Sequence, residues 1–270
     1  MSEVSGRTLV NQFEQFAPKT IAMGKDPVGL HFGNLDQPVR KVMVTLDVRP
    51  EVVEEAVEQG VNFIFSHHPP IFKAIKTFNT EDPQIKMYEN IIKHDITVYA
   101  AHTNLDVAEG GMNDWLADAL NLQDVEPLTI TQDDENGLYG LGRIGNLKEA
   151  ISLEAFFDTI KSTFQVEHFR YITNDVKQTI NRVAVLGGDG GDSYTDALDK
   201  GADLLVTGDV YYHTAHDMLA AGISVIDPGH HIESIVKPRM KAIFEQWAKE
   251  NDWEVKIIES AINTDPFNFI

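Results

Sequence analysis

Short apolar runs alternate with amphipathic stretches along most of the chain. Val42-Met43-Val44-Thr45-Leu46 is a near-continuous apolar run, the pattern of a strand covered on both faces. Pro50 then opens a helix with Val52, Val53, Ala56 and Val57 on one face, and Gly60 closes it. Val61 to Phe65 predicts the next strand, broken by His67-His68-Pro69-Pro70. Residues 84–94 predict a helix and Ile96 to Ala100 a third strand. The rhythm then returns, with a strand at Val183–Leu186, a helix over 193–200 and a strand from Ala202 to Val206. Residues 153–164 predict a helix with Leu153, Phe156, Phe157 and Ile160 on one face. A last helix is expected over about 232–250, and a final strand from Val255 to Ala261. Such strand–helix–strand units define an α/β protein with mixed, largely parallel sheets.

The two halves share a register. A constant offset of 141 carries Val42 to Val183, Val44 to Val185, Ala56 to Ala197, Gly60 to Gly201 and Ser66 to Thr207. A second offset, 127, carries Val98 to Val225 and Asp106 to Glu233. Any two βαβ units look broadly alike, but a match without a gap from position 42 to position 66 points to a structural duplication. Two similar lobes follow. The stretch 122–146 is rich in acids, glycine and turn residues and reads as their join, leading into a Gly140-Leu141-Gly142-Arg143 strand. The first lobe is then 1–125 plus 232–270, and the second 126–231. Equivalent lobes are expected to aim strand ends at one cleft, with Asp209 in the place of His68 and Gly208 in that of His67.

Composition narrows the possible partners. The chain carries 42 Asp and Glu against 22 Lys and Arg, a formal net charge of −20. That surplus repels phosphate backbones and anionic membranes, and no basic cluster offsets it, so neither nucleic acid nor membrane is expected as a partner. With no cysteine there is no thiolate metal site and no thiol nucleophile, so any metal must be held by His and carboxylate. The first residues mix charges into their apolar positions, and no run of about 18 apolar residues occurs. A cytoplasmic protein is expected.

The candidate chemistry sits just past the strand ends, where open α/β sheets place their sites. Asp47 follows the first strand, His67 and His68 the second, and His102 and Asp106 the third. In the second half the corresponding groups are Asp209 and His213, then His230, His231 and Glu233. Neighbouring strand residues point to opposite faces, so His67 and His68 need the bend that Pro69-Pro70 supplies to serve one centre. Each group alone has a structural alternative: a satisfied histidine pair, or a carboxylate capping a helix start at Glu233. His102 and Asp106, four apart, are either two ligands or a ligand and its partner. Jointly, His67, His68, Asp106, His230 and Glu233 form a nitrogen–oxygen donor set suited to Zn²⁺, Mn²⁺ or Fe²⁺. Five donors exceed one four-coordinate site, so two divalent ions with a bridging carboxylate and an activated water are expected. Asp47, His102, Asp209 and His213 are candidates to orient ligands or move protons, with Asp209 able to orient His213. Rim ligands of this kind are expected to lie outside the core, so their loss should spare folding. The loop Leu186-Gly187-Gly188-Asp189-Gly190-Gly191-Asp192 matches no phosphate-binding fingerprint and reads as a tight turn.

Taken together, SHHPPIF (66–72), AAHTNLD (100–106), TGDVYYH (207–213) and DPGHHIES (227–234) resemble the NIF3-like family, also called GTP cyclohydrolase I type 2 homologues. DPVGLHFGNLDQPVRKVMVTLDV (26–48) fits it too, so the resemblance covers nearly the whole chain. It implies two interlinked α/β lobes, a dinuclear metal site between them and a ring-shaped homohexamer. It places the metals on His67, His68, Asp106, His230 and Glu233, with His231 an alternative to His230. The chain matches the short form without an inserted domain. The activity implied is that of a metal-dependent hydrolase acting on a small molecule, a nucleotide or pterin-like heterocycle. The alternative is a metal storage, delivery or sensing protein, or an interaction scaffold.

Overall fold

A computed structural model describes residues 2–134 and 137–270. The chain forms two compact units, Met1–Leu105 with Ser234–Asp265, and Asp106–Glu233 with Pro266–Ile270. Among the described residues no helix is long and apolar enough to cross a membrane.

Elements are numbered along the chain. The first unit opens with β1 (Val4–Ser5), paired antiparallel with β3 (Pro38–Val39), and α1 (Gly6–Phe16), capped by the Ser5 hydroxyl. Its main sheet contains β2 (Gly29–Phe32), β4 (Lys41–Thr45), β5 (Phe63–Ser66), β6 (Thr97–Ala100) and β13 (Lys256–Glu259). They lie in the order β13-β4-β5-β6-β2, all parallel except β2. Every residue of β5 and β6 is buried. This explains why the sequence shows apolar runs there and not alternation. One sheet face packs Met43, Ile64 and Val98 against α2 (Pro50–Glu58) and α3 (Pro83–Lys93). Phe65 and Tyr99 meet Phe13 of α1 at ring distances of 4.9 and 5.8 Å, and Phe65 meets Phe244 of α9 (Val236–Glu250) at 5.1 Å.

The second unit is built on six strands in the order β7-β8-β10-β11-β12-β9. These are β7 (Gln123–Asp134), β8 (Gly137–Ser152), β9 (Arg170–Ile172), β10 (Thr179–Asp189), β11 (Leu204–Gly208) and β12 (Ser224–Asp227). β10, β11 and β12 are parallel, and β7, β8 and β9 add antiparallel pairings. The stretch 122–146 is therefore not a join between lobes: its residues pair Gln123 with Asn146 and Asp134 with Gly137 as arms of one long hairpin. Glu135 and Asn136, within that stretch, lie outside the described residues. Residues 106–125, assigned by sequence to the first lobe, fall in the second unit, because α5 (Met112–Ala119) packs on β8 and β10. In α6 (Leu153–Phe164), Leu153, Phe156 and Ile160 are buried, while Phe157 turns to Phe169 and Tyr171 at 5.2 and 5.0 Å. The remaining helices are α7 (Tyr194–Asp199) and α8 (Tyr212–Ala221), and α4 (Thr103–Val107) follows β6.

The two sheets repeat the same ladder. In the first, Val42 pairs Phe63 and Val44 pairs Phe65; in the second, Val183 pairs Leu204 and Val185 pairs Val206. These are the same pairs displaced by 141. Phe63 pairs Thr97 and Ile64 pairs Val98, while Leu204 pairs Ser224 and Leu205 pairs Val225, so the third strand is displaced by 127. The antiparallel edge strand obeys the rule as well: Leu30 pairs Tyr99, and Tyr171 pairs Ile226. A hydrogen-bond register reproduced over four strands is duplication and not a generic likeness between βαβ units.

Candidate metal centre

In the first unit three imidazoles gather where β5 and β6 end. Backbone bonds from His67 N to Thr45 O at 3.1 Å and His68 N to Leu46 O at 2.9 Å carry the β4–β5 pairing past the strand. The bend beyond them is fixed at the Pro70 carbonyl, which accepts from the Tyr88 hydroxyl at 2.5 Å and Gln84 at 3.3 Å. The His67 and His68 rings are 5.0 Å apart, and His102 lies 5.3 and 5.6 Å from them. One ring nitrogen from each of the three falls within 4.8 Å of the others, close enough to share an ion.

Each imidazole is oriented from behind. His67 is fully buried, and its Nδ1 bonds the Ala101 carbonyl at 2.8 Å. His68 Nδ1 bonds Asp47 Oδ1 at 2.7 Å, and the other Asp47 oxygen accepts from the Thr264 hydroxyl. His102 Nδ1 bonds Asp26 at 2.9 and 3.0 Å. Asp26 also accepts from the Thr103 amide at 2.9 Å and hydroxyl at 2.6 Å. Burial alone would raise the Asp26 carboxyl, but the bonds from His102 and Thr103 outweigh it and hold the group below its ordinary value. Carbonyl and carboxylate oxygens cannot donate, so Nδ1 carries a proton in all three rings, and in the neutral imidazole the lone pair is then on Nε2.

The second unit contributes its own donors. Gly229, at φ +95, turns the chain out of β12 into a 3₁₀ helix over His230–Ile235. Three residues per turn eclipse positions i and i+3, so His230, and not His231, stands over Glu233. His230 Nε2 lies 3.1 Å from Glu233 Oε2, and its Nδ1 bonds Asp209 Oδ2 at 2.7 Å. Asp209 therefore orients His230 and not His213, which is exposed on α8 with its ring 5.4 Å from Tyr212. Asp227, buried, fixes the turn by accepting from Gly229 N at 3.0 Å, Val210 N at 3.2 Å and Arg170.

Asp106 and Glu233 are 8% and 3% exposed. The expectation that these ligands lie outside the core is therefore corrected: His67 and Glu233 are interior groups. A carboxyl that deep ionises only with a cation or hydrogen-bond donors beside it. The glycine-rich segment makes room for one of them, because a Cβ on Gly187 or Gly188 would lie 2.9 or 2.8 Å from Glu233 Oε1. The segment is thus the bulged end of β10 more than a tight turn. Asn113 ties it to Asp106, donating to the Asp106 carbonyl at 2.9 Å and accepting from Gly187 N at 3.0 Å. Nearby, burial pushes the Asp189 carboxyl up, aided by the charges of Asp209 and Asp192.

Sequence reasoning missed Asp26, Thr264, Asn113 and the Ala101 carbonyl. Asp26 and Thr264 act on residues 76 and 217 positions away, so no local spacing reveals them. Asn113 was legible only as a polar residue on the apolar face of α5.

A nitrogen–oxygen donor set with oriented imidazoles could hold a divalent metal ion. The Duf34/NIF3 (NGG1p interacting factor 3) family profile matches residues 4–266, and the chain belongs to that family. A GTP cyclohydrolase 1 type 2 homolog of Streptococcus pneumoniae is 41% identical over 265 residues, covering 97% of this chain and 98% of that protein. A protein of the same description from Listeria innocua is 34% identical over 373 residues, with 100% of each chain covered. Among solved structures, a Bacillus cereus protein related to NIF3 is 31% identical and covers 100% of both chains at a TM-score of 0.96. The fold is thus the NIF3 fold, α/β with mixed sheets.

Proposed function

We propose that the chain is a cytoplasmic, metal-dependent hydrolase of a small heterocyclic substrate, with two divalent ions held by His67, His68, Asp106, His230 and Glu233. The observation that carries the reading is the uniform state of four histidines. His67, His68, His102 and His230 each give the Nδ1 proton to an oxygen acceptor, which leaves Nε2 as the nitrogen that could ligate. Three of those acceptors are carboxylates, which raise the basicity of the ligating nitrogen. The donor set fits Zn²⁺ best, with Mn²⁺ or Fe²⁺ next. When bound, such ions supply an acidified water and polarise the atom it attacks. The protein's own groups do the rest: Asp47 and Asp209 hold His68 and His230 in register, and His102, fixed by Asp26, offers Nε2 for proton transfer. His213, on the first turn of α8, is the outer candidate for a proton relay.

Relatives carry the description GTP cyclohydrolase 1 type 2 homolog, which makes GTP the first substrate to test. The experiment is metal analysis of the purified protein, then GTP turnover before and after chelation and reloading with Zn²⁺ or Mn²⁺. Turnover that vanishes on chelation and returns with metal supports the hydrolase. Stoichiometric metal without turnover of GTP or of a nucleotide and phosphoester panel favours storage or delivery. The homohexameric ring implied by the family resemblance is part of the proposal, and light scattering that finds only the 30.2 kDa chain would remove it.

A further inference from the structure

The duplicated ladder exposes a segment that only the first copy carries. The offset between equivalent residues is 141 up to the end of the second strand and 127 from the third, and the difference is 14 residues. The extra length falls between His68 and α3. There the first unit spends residues 69–82 on a connection, whereas α8 begins at Tyr212, soon after β11 ends at Gly208. The scaffold itself therefore closes with a short turn. A connection of this length with no helix or strand of its own is uncommon in a compact domain and is the usual setting of a binding loop.

Its side chains are unlike the rest of the molecule. Between Glu58 and Glu81 there is no Asp or Glu, the longest such run in a chain of net charge −20, and Lys73 and Lys76 lie inside it. Among the described residues neither lysine has an ion-pair partner. Phe72 is 63% exposed, yet its ring meets His102 edge-on at 6.3 Å, so the loop borders the imidazole cluster. Ile75 and Phe78 are exposed further along it. An anionic substrate approaching so acidic a protein needs a local reversal of sign, and residues 69–80, with two lysines and no carboxylate before Glu81 and Asp82, provide one beside the cluster.

We propose that residues 69–82 are a substrate-binding insertion for a nucleotide, with Lys73 and Lys76 meeting its phosphates and Phe72 packing on its base. The proposal rests on the reading of the imidazole cluster as a hydrolytic centre and names the substrate class of that same site. Lysines act on phosphate as point charges, so their contribution is sensitive to salt. An exposed aromatic face binds bases with little regard to their identity.

The test is calorimetric binding of GTP and of guanosine to the full chain, both metal-loaded and chelator-treated, with metal content measured in parallel. The loop is exposed, so Lys73→Ala/Lys76→Ala and Phe72→Ala are expected to melt like wild type. The double lysine variant should bind GTP about tenfold more weakly in both metal states, with guanosine unchanged. Its GTP affinity should also fall less steeply with salt than that of wild type. Phe72→Ala should weaken guanosine and GTP alike, by roughly fivefold to tenfold. Three results overturn the proposal: wild type that binds no GTP, a lysine variant within about twofold of wild type, or variants that change only the oligomeric state. Lysine-dependent GTP binding by a protein that takes up no metal supports the loop and removes the metal centre, so the two readings fail separately.

Discussion

Replacing Asp209 separates metal binding from folding. Its carboxylate accepts the Nδ1 proton of His230 at 2.7 Å, fixing the tautomer and enriching Nε2. In Asp209→Asn the side-chain oxygen can still accept, but the charge is gone and a flipped amide would set N–H against N–H. The backbone is not a confounder, because Asp209 sits at φ +53 and asparagine tolerates the left-handed region as aspartate does. Asp209→Gly is the second arm. It removes the acceptor altogether and relieves left-handed strain of roughly 1–2 kcal/mol, offset by about 0.5–1 kcal/mol for glycine's freedom in the unfolded chain. His230 and Asp209 side chains are 36% and 38% exposed, so their bond adds under about 1 kcal/mol to folding. Loss of such an outer partner weakens a metal site about 10–100-fold, or roughly 1.4–2.7 kcal/mol. The assay is competitive Zn²⁺ titration against a chromophoric chelator, with thermal unfolding of the chelated protein alongside. Both variants should lose at least tenfold in affinity, while the chelated proteins melt within about 4 °C of wild type. Wild-type affinity in both variants, within about twofold, would refute the role given to His230.

Glu233→Gln keeps the shape of a buried carboxylate and removes its charge, so chelated protein should be no less stable than wild type while Zn²⁺ capacity falls; unchanged capacity in metal analysis counts against Glu233 as a ligand. His67→Ala should do both harms, losing metal and destabilising the chelated fold by about 1–3 kcal/mol, because it strands the Ala101 carbonyl in the interior; denaturant melts check this. The Asp26 carboxyl is held below its ordinary 3.8, so its stabilisation is complete above that pH and is lost as pH falls through the lower folded value. The melting advantage of chelated wild type over Asp26→Asn should therefore shrink below pH 3.8, and an advantage that is constant across that range would contradict it. Arg143 is 4% exposed, grips both Asp114 oxygens at 2.7 Å and donates to the Gly140, Gly142 and Ala108 carbonyls, so Arg143→Ala should cost about 3–5 kcal/mol and lower Tm by roughly 10 °C. A calorimetric shift under about 2 °C would mean the unit closes without it.

What the sequence made legible follows from where periodicity operates. The buried strands Lys41–Thr45, Phe63–Ser66 and Thr97–Ala100 announced themselves as apolar runs, and the polar residues that follow each run marked the strand ends where His67, His68, His102 and Asp106 sit. The register of the repeat was readable too, since interior strands cannot slip without exposing apolar side chains. The long hairpin was not. Val125, Leu128 and Ile130 are spaced among acids, and in a half-exposed antiparallel strand such a mixture looks like a loop. α1 escaped for a related reason, its buried face of Leu9, Val10 and Phe13 being thin and interrupted by polar residues.

The misjudged burial of the candidate ligands His67 and Glu233 has a physical cause. Strand ends are at the edge of a sheet, and from sequence an edge reads as a rim. Here the chain folds over those edges: the Ala101 carbonyl covers His67, and the bulge of β10 lies over Glu233 with only glycine thickness between backbone and carboxylate. A donor placed so deep has few rotamers and little water, so its geometry is set before any ligand arrives. The same covering makes the inner donors poor contacts for a whole nucleotide. On the proposed reading, contact with the substrate comes from groups that remain outside, and Phe72 of the inserted loop, exposed and set against His102, is one such group on the first unit. The two proposals together assign binding and chemistry to different layers of the sequence. In that assignment the duplicated scaffold holds the fixed donors, and the insertion that breaks the duplication offers the adaptable surface.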